Sequence, residues 1–128
     1  MPLTATPATQ PYTPEIAFLH TSVTFADNGT AKTVGVLPAG AIIVKAVSGA
    51  YVTEVFNAGT TNVLDIGTSA NDDLYGTDLA LTATNFVAVD EAVNLKVTAD
   101  TTVTVTVGLA GTAATTGAAD IVIGFILP

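Results

Sequence analysis

The chain has 128 residues, no cysteine and a formal net charge of −8, with eleven acidic residues against three lysines and no arginine. A chain of this length forms one domain with its own core, and without cysteine it has no disulfide, thiolate metal site or cysteine nucleophile. The scarcity of cations argues against a nucleic-acid surface and against adhesion to an anionic membrane leaflet, since both need clustered positive charge.

Residues 1–14, MPLTATPATQPYTP, contain four of the six prolines. Because proline fixes φ and removes a backbone N–H, this segment is predicted to be an extended arm instead of a helix or a central strand. The predicted division is therefore an arm over residues 1–14 and a β domain over residues 15–128. The residues predicted to contact a partner are Pro2, Pro7, Pro11, Tyr12 and Pro14 of the arm, and Tyr75 of the domain.

From Glu15 onward, short apolar stretches alternate with turn clusters, which is typical of an all-β protein. The clearest stretch is 95–107, which is predicted to be a hairpin around a turn at 99–101, with valines on one face and threonines on the other. Asn28-Gly29 is a strong hairpin signal, and residues 37–40 form a second turn. The other predicted strands are residues 16–25, 32–37, 41–56, 63–66, 79–89 and 121–127.

The alanine-rich segment 109–120 is predicted to be a loop, because two glycines and three threonines interrupt any helical pattern. About eight strands without cysteine predict two packed antiparallel sheets, which is an all-β sandwich. A jelly roll is the candidate arrangement within that class, and a barrel is the alternative. No run of about eighteen apolar residues occurs, so no membrane-spanning helix is predicted.

Few residues suggest chemistry. His20 is the only histidine and lies among strand residues, so it is interpreted as a strand or interface residue and not as a metal ligand. Ser22, Ser48 and Ser69 are available for a Ser-His-Asp arrangement, but none lies in a G-x-S-x-G motif. No catalytic residue and no cofactor site is predicted, and the protein is not expected to be an enzyme.

Acidic residues cluster in and after the stretch FNAGTTNVLDIGTSANDDLYG, residues 56–76. Asp65, Asp72, Asp73 and Asp78 supply oxygen atoms of the kind that bind Ca²⁺, but their spacing does not match a calcium-binding loop. The prediction is a solvated loop without a metal, and a structural Ca²⁺ is the alternative. The pair Asp90-Glu91 is not predicted to act as an acid–base pair, because adjacent side chains on an extended strand point to opposite faces. A turn between strands is the preferred interpretation of this pair.

Charged residues make up only 11% of the chain, and 23 threonines take their place. An average soluble domain has about 25% charged residues. The surface must therefore consist largely of hydroxyl groups, alanine side chains and backbone. Such a surface is compatible with burial against neighbouring subunits.

Two segments resemble small virion proteins of tailed bacteriophages, namely the capsid decoration (cement) proteins and related head-fibre modules. They are residues 37–73, LPAGAIIVKAVSGAYVTEVFNAGTTNVLDIGTSANDD, and residues 117–126, GAADIVIGFI. The shared pattern is a turn, a long strand, an Asn-Ala-Gly-Thr turn, a strand reading VLDIGTS and a closing apolar strand. The resemblance implies a β-sandwich that assembles, often as trimers, on the outer face of an icosahedral head and bridges neighbouring capsid subunits. It implies no catalytic residue.

The predicted function is therefore a non-enzymatic virion structural protein on the outer surface of the capsid. Its expected partners are the major capsid protein and further copies of the chain, with neither nucleic acid nor membrane among them. The alternative is a receptor- or glycan-binding module of a head or tail fibre, which would present residues 56–76 and Tyr75 to a host surface. A hydrolase of unfamiliar design is a third alternative.

Overall fold

A computed structural model describes residues 15–128, so the predicted arm and its five contact residues lie outside the described residues. Nine strands and two short 3₁₀ turns make up the described part. None of its helical segments is long and apolar enough to cross a membrane. The strands are β1 (Ala17–Thr24), β2 (Lys32–Leu37), β3 (Ile42–Ile43), β4 (Gly49–Glu54), β5 (Thr61–Gly67), β6 (Gly76–Ala80), β7 (Phe86–Ala88), β8 (Thr101–Ala110) and β9 (Ala118–Ile126).

The strands form two antiparallel sheets. Sheet I has the order β1-β9-β4-β7, and β3 pairs with the end of β9; sheet II has the order β2-β8-β5-β6. Alternate residues of each strand point into the space between the sheets, as Val103, Val105 and Val107 do in β8. Burying a side chain of this size stabilises the fold by about 1.5–3 kcal/mol. The predicted all-β sandwich of antiparallel sheets is confirmed.

The predicted hairpin over residues 95–107 is wrong. β8 begins at Thr101 and pairs with β2 and β5, whereas residues 95–97 bond to the chain around β3. The Ile43 N–H donates to the Leu95 carbonyl at 2.8 Å, and the Val97 N–H donates to the Ala41 carbonyl at 3.0 Å. The alternation of valine and threonine therefore identifies the buried face correctly, but it does not identify the partner strand.

The turn at Asn28-Gly29 forms, but it does not close a hairpin. Gly29 has a φ of +76°, and the Thr30 N–H donates to the Asp27 carbonyl at 3.1 Å. The strands on either side belong to different sheets, since β1 pairs with β9 and β2 pairs with β8. The Asn28 side chain explains the difference: its Oδ1 accepts the Leu109 N–H at 2.9 Å and ties the turn to β8.

Two predicted long strands each break into two. Residues 41–56 form β3, a 3₁₀ turn at Lys45–Val47 and then β4. Residues 79–89 contain the end of β6 and all of β7, and these strands lie in different sheets. Leu81, at the crossing between them, is fully buried. A chain that passes from one sheet to the other keeps its apolar residues, so its composition still resembles one strand.

Candidate functional site

The outer face of sheet I, which points away from the core, carries large exposed apolar side chains. Phe18 on β1 is 56% exposed and Tyr51 on β4 is 54% exposed. Aromatic residues on an otherwise weakly charged face are typical of the core of a protein interface. We use the name outer face for the surface that contains Ile16, Phe18, His20, Tyr51, Asp120 and Val122.

A glycine on β9 shapes the outer face. The register pairs Phe18 with Gly124. A methyl group at Gly124 would lie 3.0 Å from Cε1 of Phe18 and 3.3 Å from Cγ2 of Ile16. Val47 Cγ2 would be closer still, at 2.5 Å, so the missing side chain leaves room for all three apolar groups against the sheet.

The polar part of the outer face joins His20, Ser22 and Asp120. The Ser22 hydroxyl donates to Asp120 Oδ1 at 2.7 Å, and His20 Nε2 lies 3.7 Å from the same oxygen. A serine nucleophile must donate its hydroxyl proton to a base such as histidine, whereas here both side chains converge on the carboxylate. The geometry is that of a cross-strand polar cluster, and the predicted placement of His20 on a strand is confirmed.

The loop after β5 is built from its own hydrogen bonds. The Thr68 N–H donates to the Asn71 carbonyl at 2.8 Å, and the Asn71 N–H donates to Thr68 Oγ1 at 3.2 Å. The loop closes where the Tyr75 N–H donates to the Ile66 carbonyl at 2.9 Å. Within residues 15–128, no three His, Asp or Glu side chains are grouped so that they could hold a metal ion.

Most acidic side chains accept hydrogen bonds that hold loops and strand ends in place. Asp90 Oδ1 accepts the Thr77 N–H at 2.9 Å, and Glu91 Oε2 accepts the Thr77 hydroxyl at 3.0 Å. The two carboxylates therefore meet at one residue. They lie in a loop between strands, as predicted, and the opposite orientation expected on an extended strand does not apply there. The others that accept such bonds are Asp27, Glu54, Asp65, Asp100 and Asp120.

Asp65 is the acidic residue with a perturbed pKa. Burial is the main cause of a pKa above the usual 3.8; the charges of Asp78, Asp72 and Asp73 add to it, and the hydrogen bond from the Asp78 N–H opposes it. The folded state therefore holds the Asp65 proton more tightly than the unfolded state does. The stability that this group provides is present at low pH and is lost as the pH rises from 3.8 through the raised pKa.

We predict that Asp65→Asn removes this pH dependence. Asparagine keeps an acceptor oxygen for the Asp78 N–H but carries no charge. The variant should match the original protein at about pH 3 and exceed its stability at about pH 7. Urea unfolding midpoints measured across this range test the prediction, and a difference that stays constant with pH would contradict it.

Tyr75 does not occupy the place expected of a contact residue. Its side chain is 1% exposed and packs within the core, where burial raises its pKa above 10.0. The described chain therefore does not present Tyr75 to a host surface or to another partner.

Sequence reasoning missed the exposed aromatic residues Phe18 and Tyr51. Residues 121–126 carry a signal that could have identified this face. Their apolar residues lie on both faces of β9, and such a strand is typically covered by other apolar groups on both faces.

Two cavities lie away from the outer face. One has a volume of about 240 Å³ and is bordered by Phe25 and Leu109, and the other has about 230 Å³ and is bordered by Leu74 and Lys96. Both are smaller than the roughly 300–1,000 Å³ that is usual for small-molecule sites.

The fold and the outer face together define a small two-sheet β-sandwich whose sheet I carries exposed aromatic side chains on its outer face. No protein-family model matches the chain, and no curated protein matches it. Among solved structures, it is similar to a chain in the structure described as "Cyanophage Pam1 capsid asymmetric unit", with a TM-score of 0.63 and 21% sequence identity. The likeness covers 100% of both chains and establishes a shared fold.

Proposed function

We propose that this protein is a non-enzymatic structural component of a phage virion. The observation that carries the proposal is the likeness of fold, over the full length of both chains, to a chain of a cyanophage capsid asymmetric unit. The resemblance of residues 37–73 and 117–126 to phage decoration proteins points to the same class. A structural role also agrees with the use of acidic side chains to hold loops and strand ends in place.

Within this class, we propose that the protein decorates the outer surface of the capsid and bridges neighbouring capsid subunits. Its partners would be the major capsid protein and further copies of the chain, most simply as a trimer. A protein that binds only the assembled shell adds its binding free energy to that state. The outer face supplies apolar contact area for this purpose, and its low charge reduces the cost of removing water from the contact.

We also infer that the sandwich is a jelly roll with an arm. The chain alternates between the sheets, with β1 in sheet I, β2 in sheet II, β3 and β4 in sheet I, and β5 and β6 in sheet II. It then continues with β7 in sheet I, β8 in sheet II and β9 in sheet I. If β3 and β4 count as one interrupted strand, this is an eight-stranded double sheet, as a jelly roll has. Residues 1–14 precede this domain as the proposed arm.

The receptor-binding alternative has lost one of its two predicted contacts. It places residues 56–76 and Tyr75 against a host surface, but the Tyr75 side chain is in the core. The proposal for a virion role is tested by a cryo-microscopy map of the particle that carries the chain. Density for the sandwich on the outside of the shell would support it, whereas a position on a tail or fibre, or absence from the particle, would contradict it.

Removal of residues 1–14 is expected to lower the amount of protein bound per capsid and to leave the β domain folded. The arm would lose its contacts with a neighbouring subunit, whereas residues 15–128 contain a hydrophobic core of their own. Full-length and shortened protein are mixed with particles that lack this protein, and bound protein is measured after sedimentation. Circular dichroism of the shortened protein is the control for folding. Unchanged occupancy would refute the role given to the arm.

A further inference from the structure

β1 is a long edge strand whose first half lacks the usual protection against pairing. Its ladder with β9 runs from Ala17↔Phe125 to Thr24↔Ala118 with no bulge. The sequence of β1, AFLHTSVT, contains neither proline nor lysine. Natural sheets normally shield such an edge with charge, proline, a bulge or a very short strand.

The other three sheet edges carry such protection. β2 has an irregular register between Thr33 and Gly35, and the β5–β6 pairing shifts between Leu64 and Ile66. In β6, Asp78 also has a φ of +50°, which bends the strand away from regular pairing. β7 has only three residues. The contrast singles out β1 as the edge that is available to another strand.

The open main-chain groups of β1 belong to even-numbered residues. The Phe25 N–H donates to the Gly117 carbonyl at 3.1 Å, which continues the β1–β9 ladder on odd-numbered residues. Even-numbered residues therefore point to the open edge, where Asp27 accepts the Thr24 N–H and Lys32 Nζ donates to the Ser22 carbonyl. In the described part of the chain, nothing bonds to the main chain of Phe18 or His20 on this side.

The sequence of the arm has the pattern of a strand that bonds along one edge. Pro7 and Pro11 both occupy odd positions, so every even position from Thr4 to Tyr12 keeps its N–H. In an extended strand, the main-chain groups of alternate residues point to opposite edges. Residues 4–12 can therefore form main-chain hydrogen bonds through their even-numbered residues. The main-chain nitrogens of both prolines then face away from the sheet, where proline is tolerated.

We propose that residues 4–12 of a second copy of this chain pair with the open edge of β1, through Phe18 and His20, and extend sheet I by one strand. Fourteen residues reach up to roughly 45 Å, which is enough to reach a neighbouring sandwich. The outward prolines would then end the sheet and prevent further addition. This pairing goes beyond the proposed function, because it would form whether or not a capsid is present.

The positions of the prolines exclude the tightest return of the chain's own arm. A return through a two-residue turn at Pro14 and Glu15 would place Pro11 opposite Phe18 and Pro7 opposite Ser22. These are positions where the ladder needs an N–H from the arm, and proline has none. A segment from another copy has no such constraint and can pair in the register that uses its even positions.

Matched proline substitutions test the pairing. Gln10→Pro removes an N–H from the bonding edge, whereas Thr9→Pro, one residue away, removes one from the outward edge. In the full-length protein and in Thr9→Pro, the amides of Phe18 and His20 should be protected from hydrogen exchange. In Gln10→Pro and after removal of residues 1–14, the same amides should lose this protection. Unprotected amides in the full-length protein, or equal effects of the two prolines, would overturn the proposal.

A cross-linking experiment identifies the source of the strand. The chain has no cysteine, so copies that carry only His20→Cys can be mixed with copies that carry one cysteine at Thr6, Ala8 or Gln10. At least one of these even positions should give a disulfide between copies, and Thr9→Cys should give none. Failure of all three, or protected amides in a protein that light scattering finds to be monomeric, would overturn the assignment to a second copy. Neither outcome bears on the virion role.

Discussion

Replacing Gly67 with alanine should lower the free energy of unfolding by about 3 kcal/mol, at the upper end of what overpacking costs. Gly67 ends β5, and the loop that follows folds back across it. A methyl group at this position would lie 2.6 Å from the carbonyl carbon of Asp72 and closer still to the carbonyl oxygen of Asn71. Both are backbone atoms, so no side-chain rotation can relieve the overlap.

Gly108→Ala is the matched control for Gly67→Ala. Gly108 lies in β8 of the same sheet, where a methyl group would meet the Val63 side chain at 3.4 Å, an ordinary contact. Because alanine also reduces the conformational entropy of the unfolded chain, Gly108→Ala should be neutral or stabilising by up to about 1 kcal/mol. Urea unfolding measures both variants. Equal stability of the two would mean that the loop is not seated against Gly67.

The close seating of this loop explains how the acidic stretch at residues 56–76 is used. The loop lies against Gly67, the Tyr75 side chain returns to the core, and the Asp65 carboxylate accepts the Asp78 N–H. Each part has a role in turning the chain and closing sheet II. The loop thus has a structural use of its own, and the surface that we propose for contact with another molecule lies on the other sheet, at the outer face and the β1 edge.

The sequence was sufficient to predict the fold class, because the signals that indicate strands and turns are local. Alternation of valine and threonine in residues 103–107 marks a strand with one buried face, and the turn at 37–40 forms as predicted, with Gly40 at a φ of +89°. Both signals depend only on neighbours in the chain. Strand partners depend on which distant segment completes the ladder, and for that reason residues 95–97 were assigned to the wrong hairpin.

Interruptions within strands were harder to predict for a related reason. The residues at the break between β3 and β4 are as apolar as those of the strands, and only tertiary hydrogen bonds reveal the interruption. The outer face was missed because Phe18 and Tyr51 look like core residues in a pattern of alternation. Their exposure follows from register, since Phe18 pairs with Gly124 and Tyr51 pairs with Asp120 on the side away from the core.

Ser48→Ala should lower the free energy of unfolding by about 1–3 kcal/mol, because it leaves the buried Gly124 N–H without a partner. Ser48 is fully buried at the break between β3 and β4. Its hydroxyl donates to the Val44 carbonyl at 2.8 Å and accepts the Gly124 N–H at 2.9 Å. Alanine makes neither bond, so the Val44 carbonyl keeps only the Val47 N–H, at 3.2 Å.

The control for Ser48→Ala is Ser22→Ala, which removes an exposed hydroxyl that bonds to Asp120. Exposed substitutions of this kind change stability by less than about 0.5 kcal/mol. The two variants also test the support of the outer face. The backbone of Gly124, which Ser48 holds in place, lies beneath Phe18 and Ile16. Hydrogen exchange at the Gly124 amide should therefore rise in Ser48→Ala and stay unchanged in Ser22→Ala. If both variants leave this amide protected, Ser48 does not hold β9 against the strand break.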